Sequence, residues 1–149
     1  MSASENLSNL GIVLPEPPKA VASYFPAVKS GNLIYVSGQI PIENGALKYA
    51  GAVSDENLET AKKAAELCAV NVIAQAAALS GGVDNIRRIV KISVFVNAAE
   101  GFTGEHMVAN GASDLFVSVF GDDGRHARSA VGAVLPMGAM TEVEAIIEV

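Results

Sequence analysis

The feature that most limits how this chain can fold is a long alanine-rich segment that opens at Ser54 or Asp55 and stops at Gly81-Gly82. Ser and Asp side chains satisfy the free amides of a first helical turn, and paired glycines end a helix by taking backbone angles that other residues avoid. Between these signals Ala61, Ala65, Cys68, Val72, Ala76 and Leu79 recur at intervals of three and four, with Lys62, Lys63 and Glu66 on the polar side. Small side chains on the apolar stripe let such a helix lie close against a sheet. Cys68 falls on that stripe and reads as a small core hydrophobe rather than a reactive thiol.

A second helix is predicted from about Gly104 to Phe120, with Met107, Ala112, Leu115, Phe116 and Val119 facing inward and Gly121-Asp122-Asp123-Gly124 ending it. The remaining apolar runs have the period of strands. Tyr24 to Val28 and Leu33 to Val36 flank Lys29-Ser30-Gly31-Asn32, a hairpin signal. The second run leads into Ser37-Gly38-Gln39-Ile40-Pro41, where Gly38 and Pro41 predict a bulge or bend. Lys48 to Ala50 reads as a further short strand. In Ile89 to Val96 the residues Val90, Ile92, Val94 and Val96 alternate against Lys91, Ser93 and Phe95. Two more strands follow, joined by Pro136-Met137-Gly138-Ala139.

The order ββ(β)αβαββ predicts one α+β domain, a mixed β-sheet with two helices on one face. Residues 1–19 form an arm: a short helix with Leu7, Leu10 and Ile12, ended by Gly11, then the extended Leu14-Pro15-Glu16-Pro17-Pro18, which either floats or lies over the domain. The domain proper is residues 20–149.

The other face of the sheet has no helix to cover it. Half of the 149 residues are hydrophobic, Trp is absent and aromatics are 5%, so the core is built from Ala, Val, Ile and Leu, and the apolar balance calls for cover by other subunits. A net charge of −6 with scattered Lys and Arg argues against a nucleic-acid platform. One cysteine cannot form an intramolecular disulfide. Neither a secretory leader nor a run of about 18 apolar residues is evident, so the chain reads as cytoplasmic, without a membrane partner. His106 and His126 are the only histidines and lack the paired spacing of a metal-ligand set. No metal and no cofactor are expected.

Chemistry concentrates near the C-terminus. Arg128 opens the apolar run Ser129 to Leu135, and a partly desolvated guanidinium there needs a hydrogen-bonded partner. That partner is either a ligand anion or Glu142 or Glu144 across a terminal hairpin. Glu142, Glu144 and Glu148 share one strand face, so not all three are functional.

Three segments resemble one family: Tyr24-Phe25-Pro26-Ala27-Val28 entering Ser37-Gly38-Gln39-Ile40-Pro41, the strand Val90 to Val96, and Ala127-Arg128-Ser129-Ala130-Val131 through Leu135-Pro136 to Glu142-Val143-Glu144-Ala145-Ile146. They resemble the Rid/YjgF family of reactive intermediate deaminases, called L-PSP endoribonucleases in older descriptions. The N-terminal arm and the Gly121 to Arg125 loop are similar to its longer, poorly characterised branch. The resemblance implies a chorismate-mutase-like fold, a homotrimer with a central β-barrel, and three clefts between subunits that hydrolyse 2-imino acids to 2-keto acids and ammonia without metal or cofactor.

By the same resemblance, Arg128 matches the arginine that holds the substrate carboxylate and Glu142 the acidic residue beside the attacking water. Tyr24 matches a cleft tyrosine, Ser37 the serine of the Ser-Gly-Gln turn, and Asn110 an asparagine of the second helix. Backbone donors near Ala130 would also hold substrate. Ala130 stands where many members carry cysteine, and His126 where proline or a small residue is usual. Read from the residues alone, Tyr24 is equally an interface aromatic, Ser37 a turn residue capping its own backbone, and Glu142 a solvated strand glutamate. Two other functions stay open: a trimer that binds small carboxylates without turnover, and a ribonuclease. Negative charge and the lack of a histidine pair make the ribonuclease the weakest.

Overall fold

A computed structural model describes residues 1–17 and 23–149 of the chain. The boundary expected between residues 19 and 20 lies outside the described residues. Seven strands and three α-helices are present among them. Helix α1 (Ala3–Asn9) is capped by Ser2 in a reciprocal arrangement with Glu5. Strand β1 (Ala27–Ser30) and β2 (Leu33–Gln39) form a hairpin, and β3 (Ile42–Glu43) and β4 (Ala46–Leu47) form a small separate ribbon. Next come α2 (Leu58–Ser80), β5 (Arg88–Val96), α3 (Glu105–Phe120), β6 (Ala127–Gly132) and β7 (Thr141–Glu148).

The main sheet has the order β1-β2-β7-β5-β6. All its pairs are antiparallel except β5 with β6, which are parallel. The α+β class and the mixed sheet match expectation, and one connection departs from it. Although β6 and β7 follow each other in sequence, they do not pair, because β5 lies between them.

The helices cover one face. Ile34 and Val36 of β2, Ile92, Val94 and Val96 of β5, and Val143, Ala145 and Ile147 of β7 are buried beneath α2 and α3. Phe116 is the largest fully buried side chain in a core of Ala, Val and Ile. Helices α2 and α3 touch where Gly111 meets the Lys62 backbone, with no room for a β-carbon between them. The opposite face of the sheet carries Val28, Tyr35 and Val131, each 45–49% exposed. Val28, Tyr35, Ser37, Lys91, Ser93 and Ile146 help to line a trough of about 320 Å³ on it.

Several expected boundaries shift for local reasons. Tyr24 to Pro26 are outside β1, which begins at Ala27; Pro26 has no amide to give a ladder. The hairpin turn tightens to Gly31-Asn32, with Ser30 opposite Leu33 and Gly31 in left-handed backbone. Lys48 to Ala50 is not a strand; the pairing falls one step earlier, in β4, and Ala50 makes only an isolated bridge with Ala139. Ser54 caps a 3-10 turn, Asp55–Asn57, that feeds α2, and Gly81 ends it. Leu79 is 42% exposed, outside the core.

Both ladders onto β7 contain a bulge. Ser37 and Gly38 fill the register opposite one residue, as the glycine and proline predicted. Val90 is an extra residue between Ile89 and Lys91, which turns it outward and puts Ile89 in the core instead. The arm lies over the domain at least as far as Leu14, which packs against the core with Ile12, while Asn6 binds the Val119 carbonyl and Ser4 binds Asp84.

Candidate functional site

The expected residues gather into two groups on opposite faces of the sheet. Arg128 is level with Ile92 of β5, which is level with Ala145 of β7. Residues abreast in a sheet project to the same side, so Arg128 points to the helix side at the sheet edge. There its guanidinium lies along α3. Nη1 donates to Asn110 Oδ1 at 2.9 Å and to Ser113 Oγ at 3.1 Å, and Nη2 donates to the His106 carbonyl at 3.2 Å. Positions 106, 110 and 113 form one stripe of a helix surface.

All three acceptors are neutral. The ion pair with Glu142 or Glu144 is absent: β5 separates the strands, and both glutamates lie on the other face. Among the described residues Arg128 has no carboxylate partner. Its bonds use both Nη1 hydrogens and one on Nη2, leaving the Nε hydrogen and a second Nη2 hydrogen. Adjacent donors of that kind can grip a carboxylate side-on. Ala130 is level with the buried Val94, on the same side as Arg128, and presents only a methyl group.

The second group surrounds the β2 bulge. Ser37 donates from its amide to the Pro26 carbonyl at 2.8 Å and from Oγ to the Phe25 carbonyl at 2.9 Å. Its hydroxyl therefore pins the Tyr24-Phe25-Pro26 segment to the sheet and does not cap its own turn. Tyr24 itself is 54% exposed. Behind the bulge the Glu142 carboxylate packs on Gly38, where a β-carbon would collide with Oε1.

Burial pushes the Glu142 carboxyl above the ordinary carboxylate range, and the like charge of Glu144 adds to the shift. Among the described residues it accepts no hydrogen bond that would offset this. A carboxylate held partly dry and unpaired is a better proton acceptor than one in water.

Cys68 is buried under β7, 3.2 Å from Thr141 Oγ1, and its thiol is pushed up to about 12 by burial. It takes no part in either group. No set of three His, Cys, Asp or Glu side chains among the described residues is placed to share a metal ion, and no helix is long and apolar enough to cross a membrane.

Sequence reasoning missed Ser113 and the His106 carbonyl. Their spacing from Asn110 on one helix face was the available signal. His126 was noticed as out of place but without a partner; its Nε2 lies 2.9 Å from Ser113 Oγ.

Comparison with known proteins agrees with the fold and extends along the chain. A family described as "YjgF/chorismate_mutase-like, putative endoribonuclease" matches residues 4–149. The crystal structure of Atu1372, a protein of unknown function from Agrobacterium tumefaciens, superposes with a TM-score of 0.90 at 45% identity, covering 99% of this chain and 92% of that one. Protein TCP17 of Trypanosoma cruzi is 44% identical over 146 residues, 96% of this chain and 91% of its own length. The RutC family protein y4sK of Sinorhizobium fredii is 32% identical, over 89% and 91% of the two chains. With the mixed sheet, the Ser-Gly-Gln bulge and the arginine strand in place, the chain belongs to the Rid/YjgF family of YjgF/chorismate-mutase-like proteins.

Proposed function

We propose that the protein hydrolyses 2-imino acids and their enamine tautomers to 2-keto acids and ammonia, in clefts completed by a second copy of the chain within a homotrimer. The observation that carries this reading is the separation of the two groups. Arg128 offers two donors and an uncompensated positive charge on the helix side of an edge strand; Glu142 is a half-buried carboxylate on the open side. One chain cannot apply both to one small molecule. Copies whose open faces and β6 edges meet can, and the exposed Val28, Tyr35 and Val131 give that contact its apolar area.

In this reading Arg128 holds the substrate carboxylate, which fixes C2 and draws charge from it. Glu142 orients a water molecule and takes a proton as the oxygen bonds to C2, giving a carbinolamine. Glu142 hands that proton to the nitrogen, which holds the former C2=N π pair; it then takes the hydroxyl proton as the C=O bond forms and passes it to the nitrogen as the C2–N bond breaks, so ammonia leaves with the 2-keto acid behind. The raised Glu142 carboxyl suits both halves of that exchange. Tyr24, Ser37 and Asn110 act mainly through position: Ser37 and Tyr24 shape the wall beside Glu142, and Asn110 orients Arg128.

The test is to generate 2-iminopropionate with an amino-acid oxidase and follow its disappearance with and without the protein. Faster loss that depends on Arg128 supports hydrolysis. Binding of pyruvate without any acceleration would convert the protein into a carboxylate-binding trimer, and RNA cleavage that vanishes in Arg128→Ala would overturn both.

A further inference from the structure

The hydrogen bonds around Arg128 do not end at α3. His126 Nδ1 lies 2.6 Å from the Gly124 carbonyl, which can only accept. In the neutral ring Nδ1 therefore carries the proton and Nε2 is bare. Nε2 must then accept from Ser113 Oγ at 2.9 Å, and that hydroxyl's lone pairs remain for Arg128 Nη1 at 3.1 Å. The chain is directional: Arg128 donates to Ser113, Ser113 to His126, and His126 to Gly124. The imidazole is fixed further by an edge contact with Phe116, ring centres 5.7 Å apart at 75°. Gly124 sits tightly against the Phe116 carbonyl, with no space for a β-carbon, so the far end of the chain is anchored in the core.

We propose that Ser113 and His126 are positioning residues that lock the Arg128 guanidinium with its free donor pair turned to the substrate carboxylate, and that protonation of His126 releases the lock. The proposal rests on the carboxylate-binding role of Arg128 given above. A protonated ring would present Nε2–H to Ser113, so one hydroxyl would face two cationic donors and lose the acceptor for its own hydrogen. The groups that act on His126 are Ser113 and Phe116 from α3, the Gly124 carbonyl from the preceding turn, and the charge of Arg128 two residues on, in β6. Among the described residues no carboxylate hydrogen-bonds the ring. Burial, and secondarily the charge of Arg128, hold the imidazole below its ordinary range against the opposing Gly124 bond. The ring is thus neutral at pH 7, and the lock opens only on the acid side.

The test uses the full chain and reads KM against kcat for 2-iminopropionate from pH 5 to 8, with pyruvate affinity as a readout that needs no turnover. Ser113→Ala and His126→Phe should raise KM about five- to twentyfold with kcat within about threefold, as the loss of one orienting hydrogen bond predicts, and Ser113→Thr should recover most of it. His126→Gln, whose amide oxygen can still accept from Ser113, should keep the wild-type KM at pH 7 and should no longer show the weakening of pyruvate affinity on the acid side, while the acid limb of kcat that belongs to Glu142 remains. Wild-type KM that Ser113→Ala and His126→Phe leave unchanged, or an acid-side loss of pyruvate affinity that survives His126→Gln, overturns the proposal alone. A wild type that neither turns over the imine nor binds pyruvate removes the carboxylate reading itself and the proposal with it.

Discussion

Arg128 and Glu142 lie on opposite faces of one sheet, with β5 between their strands. The two residues that carry the proposed chemistry therefore never meet within a chain, and everything predicted for the site depends on which face each one serves.

Arg128→Lys keeps the charge but not the planar fork, and an ammonium cannot reproduce bonds to Asn110, Ser113 and the His106 carbonyl while also gripping a carboxylate. The substitution should lower kcat/KM for 2-iminopropionate by roughly thirty- to a thousandfold, about 2–4 kcal/mol. The melting temperature should stay close to wild type, because the side chain is exposed and has no ion pair to lose. Full activity in Arg128→Lys would reduce Arg128 to a surface brace for α3.

Gly38 and Gly111 both lack room for a β-carbon, yet alanine should act differently at the two positions. At residue 38 the obstacle is the end of the Glu142 side chain, which can swing aside; at residue 111 it is the Lys62 backbone, which cannot. Gly38→Ala should therefore fold normally and lose turnover through a displaced carboxylate. Gly111→Ala should force α2 and α3 apart and lower stability by about 1–3 kcal/mol. Thermal melts and initial rates on the two variants separate these effects.

Glu142 also leaves a signature in the pH dependence of stability. Its carboxyl titrates above the ordinary range in the folded chain because ionisation there means leaving a partly desolvated charge beside Glu144. A folded-state value above the unfolded one means that the native state holds the proton longer, so stability falls as pH rises from the unfolded value through the folded one. Glu142→Gln removes that penalty. The variant should melt at or above wild type at pH 7 to 8, with the difference closing below about pH 4, while turnover collapses. A variant less stable than wild type at pH 7 would mean that the carboxylate has a favourable partner.

Cys68 should be chemically silent. Its thiol is fully buried, held at about 12 and in contact with Thr141, so almost no thiolate exists at pH 7 to 8. Alkylation by iodoacetamide should require unfolding and proceed at the rate of global opening; modification in the native state with loss of activity would contradict this placement.

The helices and most strands were legible in the sequence because their periodicity is local, and because Ser54, Gly81 and Gly121 punctuate them. The Ser37-Gly38 bulge was legible from composition. What was not legible depends on register and on contacts distant in sequence. The extra residue at Val90 leaves an alternating pattern that looks regular, so Val90 and Ile89 exchange roles without any sequence signal. Consecutive order suggested a terminal hairpin, yet β5 enters between β6 and β7, and the expected pairing of Arg128 with Glu142 or Glu144 fails because of that separation and because the glutamates face the other side of the sheet. The Arg128 partners on α3 are neutral groups 15 to 22 residues away, invisible to a search for charge complementarity. Resemblance supplied Asn110; the fold supplied Ser113 and His126.

The central claim is that one site draws Arg128 from one copy and Glu142 from another, and subunit complementation tests it most directly. Arg128→Ala and Glu142→Gln should each be inactive alone. Mixed in equal amounts and allowed to exchange subunits, they should recover roughly a quarter of wild-type activity, because random assembly leaves both intact residues at about one interface in four. No recovery in a mixture shown by mass spectrometry to contain mixed oligomers, or a protein that stays monomeric at micromolar concentration with full activity, would contradict the shared site.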